Sequence, residues 1–225
     1  MEIIERPSPN FSARPAGVDI DMAVLHYTGM KTGEAALERL CDQAAEVSAH
    51  YVVDEDGRIY RLVADSCRAW HAGRSYWAGA TDINDRSIGI EIVNPGHEFG
   101  YRKFPESQMA AVEALLAEVM RRHEIPAHRV VGHSDIAPSR KQDPGELFDW
   151  QRLARLGLSV WPTDFPAPVD RATALNHLAA IGYDPAVGAA DIVSAFQRRF
   201  VPDNVTGRLD DPTLTMVAAV HAINS

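Results

Sequence analysis

"SIGIEIVN" (residues 87–94) alternates between isoleucines and smaller or polar residues, which is typical of a β-strand with two different faces. One face carries Ile88, Ile90 and Ile92, and the other carries Gly89, Glu91 and Val93. Glutamate is rarely buried unless it is paired or functional, so its place in this apolar strand marks Glu91 as a candidate site residue. The alternative is that the face of the strand with Glu91 is exposed to solvent.

The segments on either side alternate between strand and helix patterns. Short apolar runs predict strands at 22–28 (MAVLHYT) and 128–133 (HRVVGH), and AHYVV and RIYRLV around DEDG predict a hairpin. Helical spacing of apolar residues predicts helices at 33–48 and 106–125. Because strands alternate with helices, we predict an α/β fold with a mixed central β-sheet flanked by helices.

The C-terminal part of the sequence has a different character. Residues 161–171 (WPTDFPAPVDR) hold three prolines and predict a stiff, extended linker. Three short helical patterns follow, RATALNHLAAIGY, AADIVSAFQRRF and DDPTLTMVAAVHAI, which together predict a small three-helix domain. We therefore divide the chain into a domain at 1–160, a linker at 161–171 and a helical domain at 172–225.

Composition excludes several classes of protein. A net charge of −9 argues against a nucleic-acid-binding protein, which needs a basic face. No apolar run approaches the ~20 residues that span a bilayer. The two cysteines, Cys41 and Cys67, cannot form a disulfide framework, and two free thiols are the simpler interpretation than one disulfide. The first residues lack a secretory signal. This predicts a cytoplasmic protein, or one at the periplasm or outer membrane from which an export signal was removed.

Polar residues cluster after two of the predicted strands. His26 lies near the end of the first strand, and VVGHSDIAPSRKQDPG (130–145) contains His133, Lys141 and Asp143. Two imidazoles and one carboxylate can bind zinc and leave a fourth position open for water, which is the pattern of catalytic zinc sites. From spacing alone, a capping role for Asp143 or Asp135 is an open alternative.

Three segments together resemble a known family: VLHYT, AWHAGRSYWAGATDINDRSIGIEIVNPG and VVGHSDIAPSRKQDPG. They are similar to the zinc-dependent N-acetylmuramoyl-L-alanine amidases of the AmpD/AmiD type, relatives of phage T7 lysozyme and of the peptidoglycan recognition proteins. The resemblance covers roughly residues 1–160. The segments AFQRRF and TGRLDDPTL resemble the small three-helix peptidoglycan-binding domains.

The resemblance implies a role for each candidate residue. Zinc (Zn²⁺) would be bound by His26, His133 and Asp143, and Glu91 would be the general base that takes a proton from water. Lys141 would stabilise the oxyanion; the alternative is a solvated loop lysine. The implied substrate-binding residues are Tyr27, Trp70, His71 and Asn94. For Trp70, packing in the core is an equal alternative.

The activity implied by the resemblance is hydrolysis of the amide bond between the lactyl group of (anhydro-)N-acetylmuramic acid and L-alanine of the stem peptide. The partners would be soluble 1,6-anhydro-muropeptides, in peptidoglycan recycling, or polymeric murein, and we expect a monomer. One alternative is a recognition protein that binds muropeptides without cleaving them, but it should lack a complete ligand set. Another is a zinc-stabilised interaction domain, which would need a closed four-ligand site.

Overall fold

A six-stranded mixed β-sheet forms the centre of the fold in the computed structural model, which describes residues 2–224. The strands are β1 (Ile3–Glu5), β2 (Phe11–Ala13), β3 (Met22–Tyr27), β4 (Tyr51–Val53), β5 (Ile59–Arg61), β6 (Cys67–Ala69), β7 (Ser87–Ile92) and β8 (Val130–Gly132). The helices are α1 (Gly33–Cys41), α2 (Ile83–Arg86), α3 (Gly96–Phe99), α4 (Glu106–His123), α5 (His133–Ile136), α6 (Trp150–Arg155), α7 (Arg171–Ile181), α8 (Ala189–Phe200) and α9 (Asp211–Asn224). The predicted fold class is confirmed.

The strand order in this sheet is β1-β5-β4-β7-β3-β8, and β2 pairs separately with β6. The predicted hairpin is the antiparallel pair β4–β5, whereas the strands β4, β7, β3 and β8 run parallel to one another. His26 is directly opposite Glu91 in the register of β3 and β7, and Gly132 is opposite Leu25. Carboxyl ends of parallel strands share one edge of a sheet, where ligand sites of α/β proteins lie.

The two faces of β3 pack against different helices. Ala23 and Leu25 belong to a buried cluster that includes the apolar residues of α4, and so do the three isoleucines of β7. The three isoleucines therefore lie on one face of β7, which confirms the alternation predicted for residues 87–94. Met22 and Val24, on the opposite face, pack in a second cluster with residues of the C-terminal helices.

The three C-terminal helices lie where the sequence predicts helical patterns. Residues 163–168, between the two parts of the chain, are exposed and have no regular structure. Phe196 of α8 and Val217 of α9 belong to the same buried cluster as Met22 and Trp77. The interior of the helical part is therefore continuous with the interior of the sheet, and the domain boundaries remain a prediction.

Local structure differs from the predicted elements at several places. The helix predicted at 33–48 ends at Cys41, because the Asp42 side chain accepts a hydrogen bond from the backbone N–H of Ala44 and starts a 3₁₀ turn. Strands β1, β2 and β6 have three residues each, too few for a recognisable alternation. Both cysteines are free thiols. Within residues 2–224, no helix has the length and apolar character needed to cross a membrane.

Candidate active site

Three potential metal ligands meet at the carboxyl edge of the sheet. His26 lies on β3, and His133 follows the neighbouring strand β8 as the first residue of α5. The Nδ1 atoms of the two imidazoles are 2.8 Å apart, and Asp143 Oδ2 lies 3.1 Å from the first and 3.0 Å from the second. All three residues are buried, and they form a group that could bind a metal ion.

Asp143 reaches the two histidines through a loop that folds back onto β8. The backbone N–H of Ser134 donates to the Asp143 carbonyl at 2.8 Å, which ties the two ends of this loop together. Gly132 permits the close approach: a Cβ at this position would lie 2.8 Å from Pro144 Cδ. The nine residues between His133 and Asp143 therefore form a closed loop with a fixed entry and exit.

Hydrogen bonds behind the histidines determine which nitrogen carries the proton. Ser87 Oγ donates to the Ile83 carbonyl at 2.6 Å, so it accepts from His71 Nε2 at 3.2 Å. His71 Nδ1 is then an acceptor, and it accepts a hydrogen bond from the Nε2–H of His26 at 3.0 Å. In a neutral His26, Nδ1 is left with a lone pair directed at the ligand group.

In His133 a single hydrogen bond determines which nitrogen carries the proton. Its Nε2 lies 3.1 Å from the Ala72 carbonyl, which can only accept, so the proton of the neutral ring is on Nε2. Two nitrogen lone pairs and a carboxylate oxygen thus face one another with no proton between them. Only a positive charge can hold these atoms together, and a metal ion fits a donor set of this kind.

The ionisation of the group agrees with this assignment. Burial, together with the nearby His133, lowers the pKa of His26 to about 4, despite the opposing effect of Asp143. Burial would raise the pKa of Asp143, but its contacts with the two imidazoles hold that pKa well below the usual range. Near neutral pH the first imidazole is therefore unprotonated and the carboxylate ionised, which is the state that metal ligands require.

Glu91 and Lys141 lie beside this group. Burial and the charge of Asp143 raise the pKa of Glu91 well above its usual value, and the charge of Lys141 opposes this effect. Glu91 Oε2 has no contact with solvent and no hydrogen-bond partner among residues 2–224. Both side chains line the same cavity as His133 and Asp143. The Glu91 carboxylate therefore lies at the wall of the cavity with hydrogen-bonding capacity that no described residue uses.

The cavity has a volume of about 620 Å³ and contains most of the predicted substrate-binding residues. Tyr27, Trp70 and His71 line it. The Tyr27 hydroxyl is 2.9 Å from His97 Nδ1, and burial followed by the Asp143 charge raises the pKa of Tyr27 to about 12. His71 contacts His26 directly, which gives it an orienting role that the sequence did not predict.

Asn94 lies apart from the cavity. It is fully buried, its side-chain N–H donates to the Arg102 carbonyl at 2.8 Å, and its side-chain oxygen accepts from Gly96 N–H at 3.0 Å. The structure therefore does not bring Asn94 together with the other candidates, because its amide is used to shape the turn after β7.

Sequence reasoning gave no role to His97. This residue lines the cavity and contacts both Tyr27 and Glu146. The hydrogen bond from His97 lowers the pKa of Glu146. His97 and Glu146 are 49 residues apart, and no local pattern connects them.

Comparison with known proteins places this site in a family. Residues 16–146 match the family described as N-acetylmuramoyl-L-alanine amidase. The chain belongs to that amidase family. The match contains all three potential ligands together with Glu91 and Lys141. The predicted family and hydrolase activity are thereby confirmed.

This amidase is similar to relatives of two kinds. It is 37% identical over 236 residues to N-acetylmuramoyl-L-alanine amidase AmiD of Escherichia coli, with 92% of this chain and 84% of the relative covered. It is 35% identical over 164 residues to 1,6-anhydro-N-acetylmuramyl-L-alanine amidase AmpD of the same species, with 65% of this chain and 87% of the relative covered. The similarity to AmiD thus extends over the C-terminal helices.

Solved structures of two relatives share the architecture of this amidase. The E. coli AmiD complex with anhydro-N-acetylmuramic acid-L-Ala-D-gamma-Glu-L-Lys has a TM-score of 0.82 and 34% identity, covering 93% of this chain and 92% of that one. AmpDH3 from Pseudomonas aeruginosa has a TM-score of 0.83 and 33% identity, covering 94% and 95%. Both comparisons include the sheet and the C-terminal helices.

Proposed function

We propose that this amidase is a zinc enzyme whose metal is bound by His26, His133 and Asp143. The observation that supports it most strongly is the convergence of two imidazole lone pairs and a carboxylate oxygen within about 3 Å of one another. Three protein ligands leave a coordination position open for water, as in hydrolytic rather than structural zinc sites. A bound zinc supplies Lewis-acid chemistry, lowering the pKa of water and polarising a carbonyl.

Glu91 is the proposed general base. Glu91 lines the cavity beside the ligand group, where its carboxylate can accept a proton from the attacking water. A dication held by His26, His133 and Asp143 would oppose the effects of burial and of the Asp143 charge that raise the pKa of Glu91, and would favour its carboxylate form. As the C–N bond breaks, Glu91 returns the proton to the departing amine nitrogen, so protons balance over the cycle.

Lys141 is the proposed electrostatic stabiliser. It lines the cavity on the loop that carries Asp143, and its charge acts on both Glu91 and His26. During attack, negative charge develops on the carbonyl oxygen of the substrate. A fixed ammonium near that oxygen stabilises the transition state more than the neutral ground state.

The proposed substrate is a muropeptide cleaved at the amide between the lactyl carbonyl and L-alanine. This is supported by the AmiD complex with anhydro-N-acetylmuramic acid-L-Ala-D-gamma-Glu-L-Lys. Tyr27 and Trp70 are positioned at the cavity wall to contact the sugar or the peptide. Polymeric murein, bound with help from residues 172–225, is the extension of this proposal. Cytoplasmic localisation and a monomeric state remain predictions.

A single digestion tests the proposed function. The zinc-loaded protein is incubated with anhydro-N-acetylmuramic acid-L-Ala-D-γ-Glu-L-Lys and the products are identified by mass spectrometry. We expect anhydro-N-acetylmuramic acid and the free tripeptide in equal amounts. Binding without cleavage by the folded, zinc-loaded protein would favour a recognition protein instead, and cleavage within the peptide would identify a different hydrolase.

A further inference from the structure

A buried network joins the C-terminal helices to the turn that carries His133. Its centre is the carboxylate of Asp135, which is 1% exposed. Asp135 Oδ1 accepts from the Tyr183 hydroxyl at 2.6 Å, and Oδ2 accepts from Arg199 Nη1 at 3.0 Å and from the Gly132 backbone N–H at 2.8 Å. Two of these three donors come from the C-terminal helical part.

The structure assigns Tyr183 and Arg199 as positioning residues for the metal ligands, acting through Asp135. The inference rests on the zinc site proposed above and adds to it. A capping role for Asp135 was an open alternative from the sequence, and the structure contains such a cap at Gly132. What the cap does not explain is why its carboxylate is also held by residues 48 and 64 positions further along the chain.

The turn that Asp135 stabilises contains the ligand His133 and orients the ligand Asp143. Gly132 and Asp135 flank His133, so the hydrogen bond between them fixes the start of α5 and the direction of the imidazole. Ser134, in the same turn, donates its backbone N–H to the carbonyl of Asp143. A displacement of Asp135 would therefore move His133 and Asp143 relative to His26, which is fixed separately on β3.

The Arg199 side chain is buried and contacts several neighbouring residues. Its side chain is 4% exposed, and its guanidinium lies over the Trp150 ring at 4.2 Å. A second N–H donates to Ser159 Oγ at 3.1 Å, while Nε has no hydrogen-bond partner among residues 2–224. A buried cation with one orphaned donor is costly, and its carboxylate partner compensates for part of that cost.

Tyr183 is held equally closely. It is 1% exposed and packs edge-on against Trp77, with ring centroids 5.0 Å apart. The preceding residue, Gly182, comes so close to Trp77 that a Cβ there would lie 2.6 Å from the indole. The Tyr183 hydroxyl thus has a fixed position, and removing it should affect Asp135 without reshaping the core.

The test uses the full-length protein and the variants Tyr183→Phe and Arg199→Lys. The matched control is Tyr51→Phe, which removes the hydrogen bond of another buried tyrosine to an aspartate, the 2.7 Å contact with Asp65. Tyr51 packs in the cluster on the α4 face of the sheet. Zinc affinity of each metal-free protein is measured by competition with a chromogenic chelator, and thermal stability is measured in parallel. Tyr51→Phe reports the stability loss that comes without displacement of the ligands.

We expect zinc affinity about tenfold weaker in Tyr183→Phe, the usual order for a residue behind a metal ligand, and a smaller loss in Arg199→Lys, which keeps the cation. Tyr51→Phe should lose stability but bind zinc like the wild type. Wild-type zinc affinity in both variants, or an equal loss in the control, would overturn the positioning role. A wild-type protein that binds no zinc would instead remove the proposed metal site itself.

Discussion

At the scale of single residues, Glu91 is a partly buried carboxylate beside the ligand group. It lies opposite His26 in the sheet, its pKa is raised by burial, and one of its oxygens has no partner within the described residues. Folding such a group is unfavourable unless it is used, because an unpaired buried carboxylate loses its hydration. The alternation in the sequence revealed this residue, and the structure adds its proximity to Asp143.

Replacing Glu91 by glutamine tests its role as base. The amide keeps the size of the side chain but cannot accept a proton from water. We expect zinc content and folding to be retained and kcat to fall by ~10²–10⁴, the usual contribution of a positioned general base. Steady-state kinetics on the anhydro-muropeptide measure this. Activity within a few-fold of the wild type would assign the base to another group.

Lys141 is tested by alanine and arginine. Because the ammonium acts on charge that develops only in the transition state, Lys141→Ala should lose ~10²-fold or more in kcat with a smaller change in KM and normal zinc content. Lys141→Arg should restore kcat only in part, because a planar guanidinium does not have the shape of a compact ammonium. A change confined to KM would make Lys141 a contact for a substrate carboxylate.

Residue-level prediction from the sequence succeeded where a motif carries several functional groups in one loop. His133, Lys141 and Asp143 are within 11 residues of one another and were found together. The partners His71, His97 and Arg199 were missed or given other roles. Their contacts join positions 45, 70 and 64 residues apart, and such pairings depend on the tertiary fold alone.

At the scale of elements, the parallel strands β3, β7 and β8 bring the site together, and the short strand β4 supports them from the other side. His50, the residue before β4, is fully buried. Its Nδ1 accepts from the Gly89 backbone N–H at 2.9 Å and its Nε2 lies 3.1 Å from the Cys67 carbonyl. A protonated ring would direct an N–H at the N–H of Gly89, so this hydrogen bond requires the neutral imidazole.

The pH dependence of stability follows from His50. Burial and the nearby Arg14 lower the pKa of His50 to about 3, below the usual 6.5. A lowered histidine pKa contributes stability that is fully present above pH 6.5 and is lost as the pH falls toward 3, because only the unfolded chain then binds the proton. We expect the free energy of unfolding in urea to decline across this window.

Nuclear magnetic resonance separates His50 from the other histidines. The imidazole resonances of His50 should show no titration between pH 7 and 5. A His50 midpoint near pH 6.5 in the folded protein would contradict the proposed role of the neutral ring.

Long elements were predictable and short ones were not. The helix α4 and the strands β3 and β7 have enough residues for a periodic pattern, and their predicted and observed positions agree to within two residues. Strands of three residues such as β1 and β2 are defined by their partners β5 and β6, which come more than 50 residues later. No local pattern contains that information.

At the scale of the whole molecule, the C-terminal helices and the sheet share one interior. Met22 and Val24 of the central strand β3 are buried against the cluster that contains Phe196 and Val217. The proline-rich segment predicted a linker, and the sequence could not indicate how the parts on either side pack. That packing depends on apolar faces whose partners lie about 170–195 residues away in the sequence.

Removing the C-terminal helices should therefore affect the entire fold. A chain ending at residue 161 would expose the side chains of Met22, Val24 and Trp77, which are at most 3% exposed in the full chain. Burial of large apolar side chains contributes ~1.5–3 kcal/mol each, so we expect a melting temperature lower by 10 °C or more, or insoluble protein. An unchanged melting temperature with full muropeptide hydrolysis would indicate two independent domains.

Zinc content and zinc-dependent activity test the central claim most directly. The purified protein is analysed for metal, stripped with a chelator, and assayed on the anhydro-muropeptide before and after zinc is added back. The convergence of His26, His133 and Asp143 predicts one zinc per chain, loss of hydrolysis on removal and recovery on addition. The double variant His26→Ala, His133→Ala should neither bind zinc tightly nor recover. Full activity in the metal-free protein, or tight zinc binding by the double variant, would contradict the account.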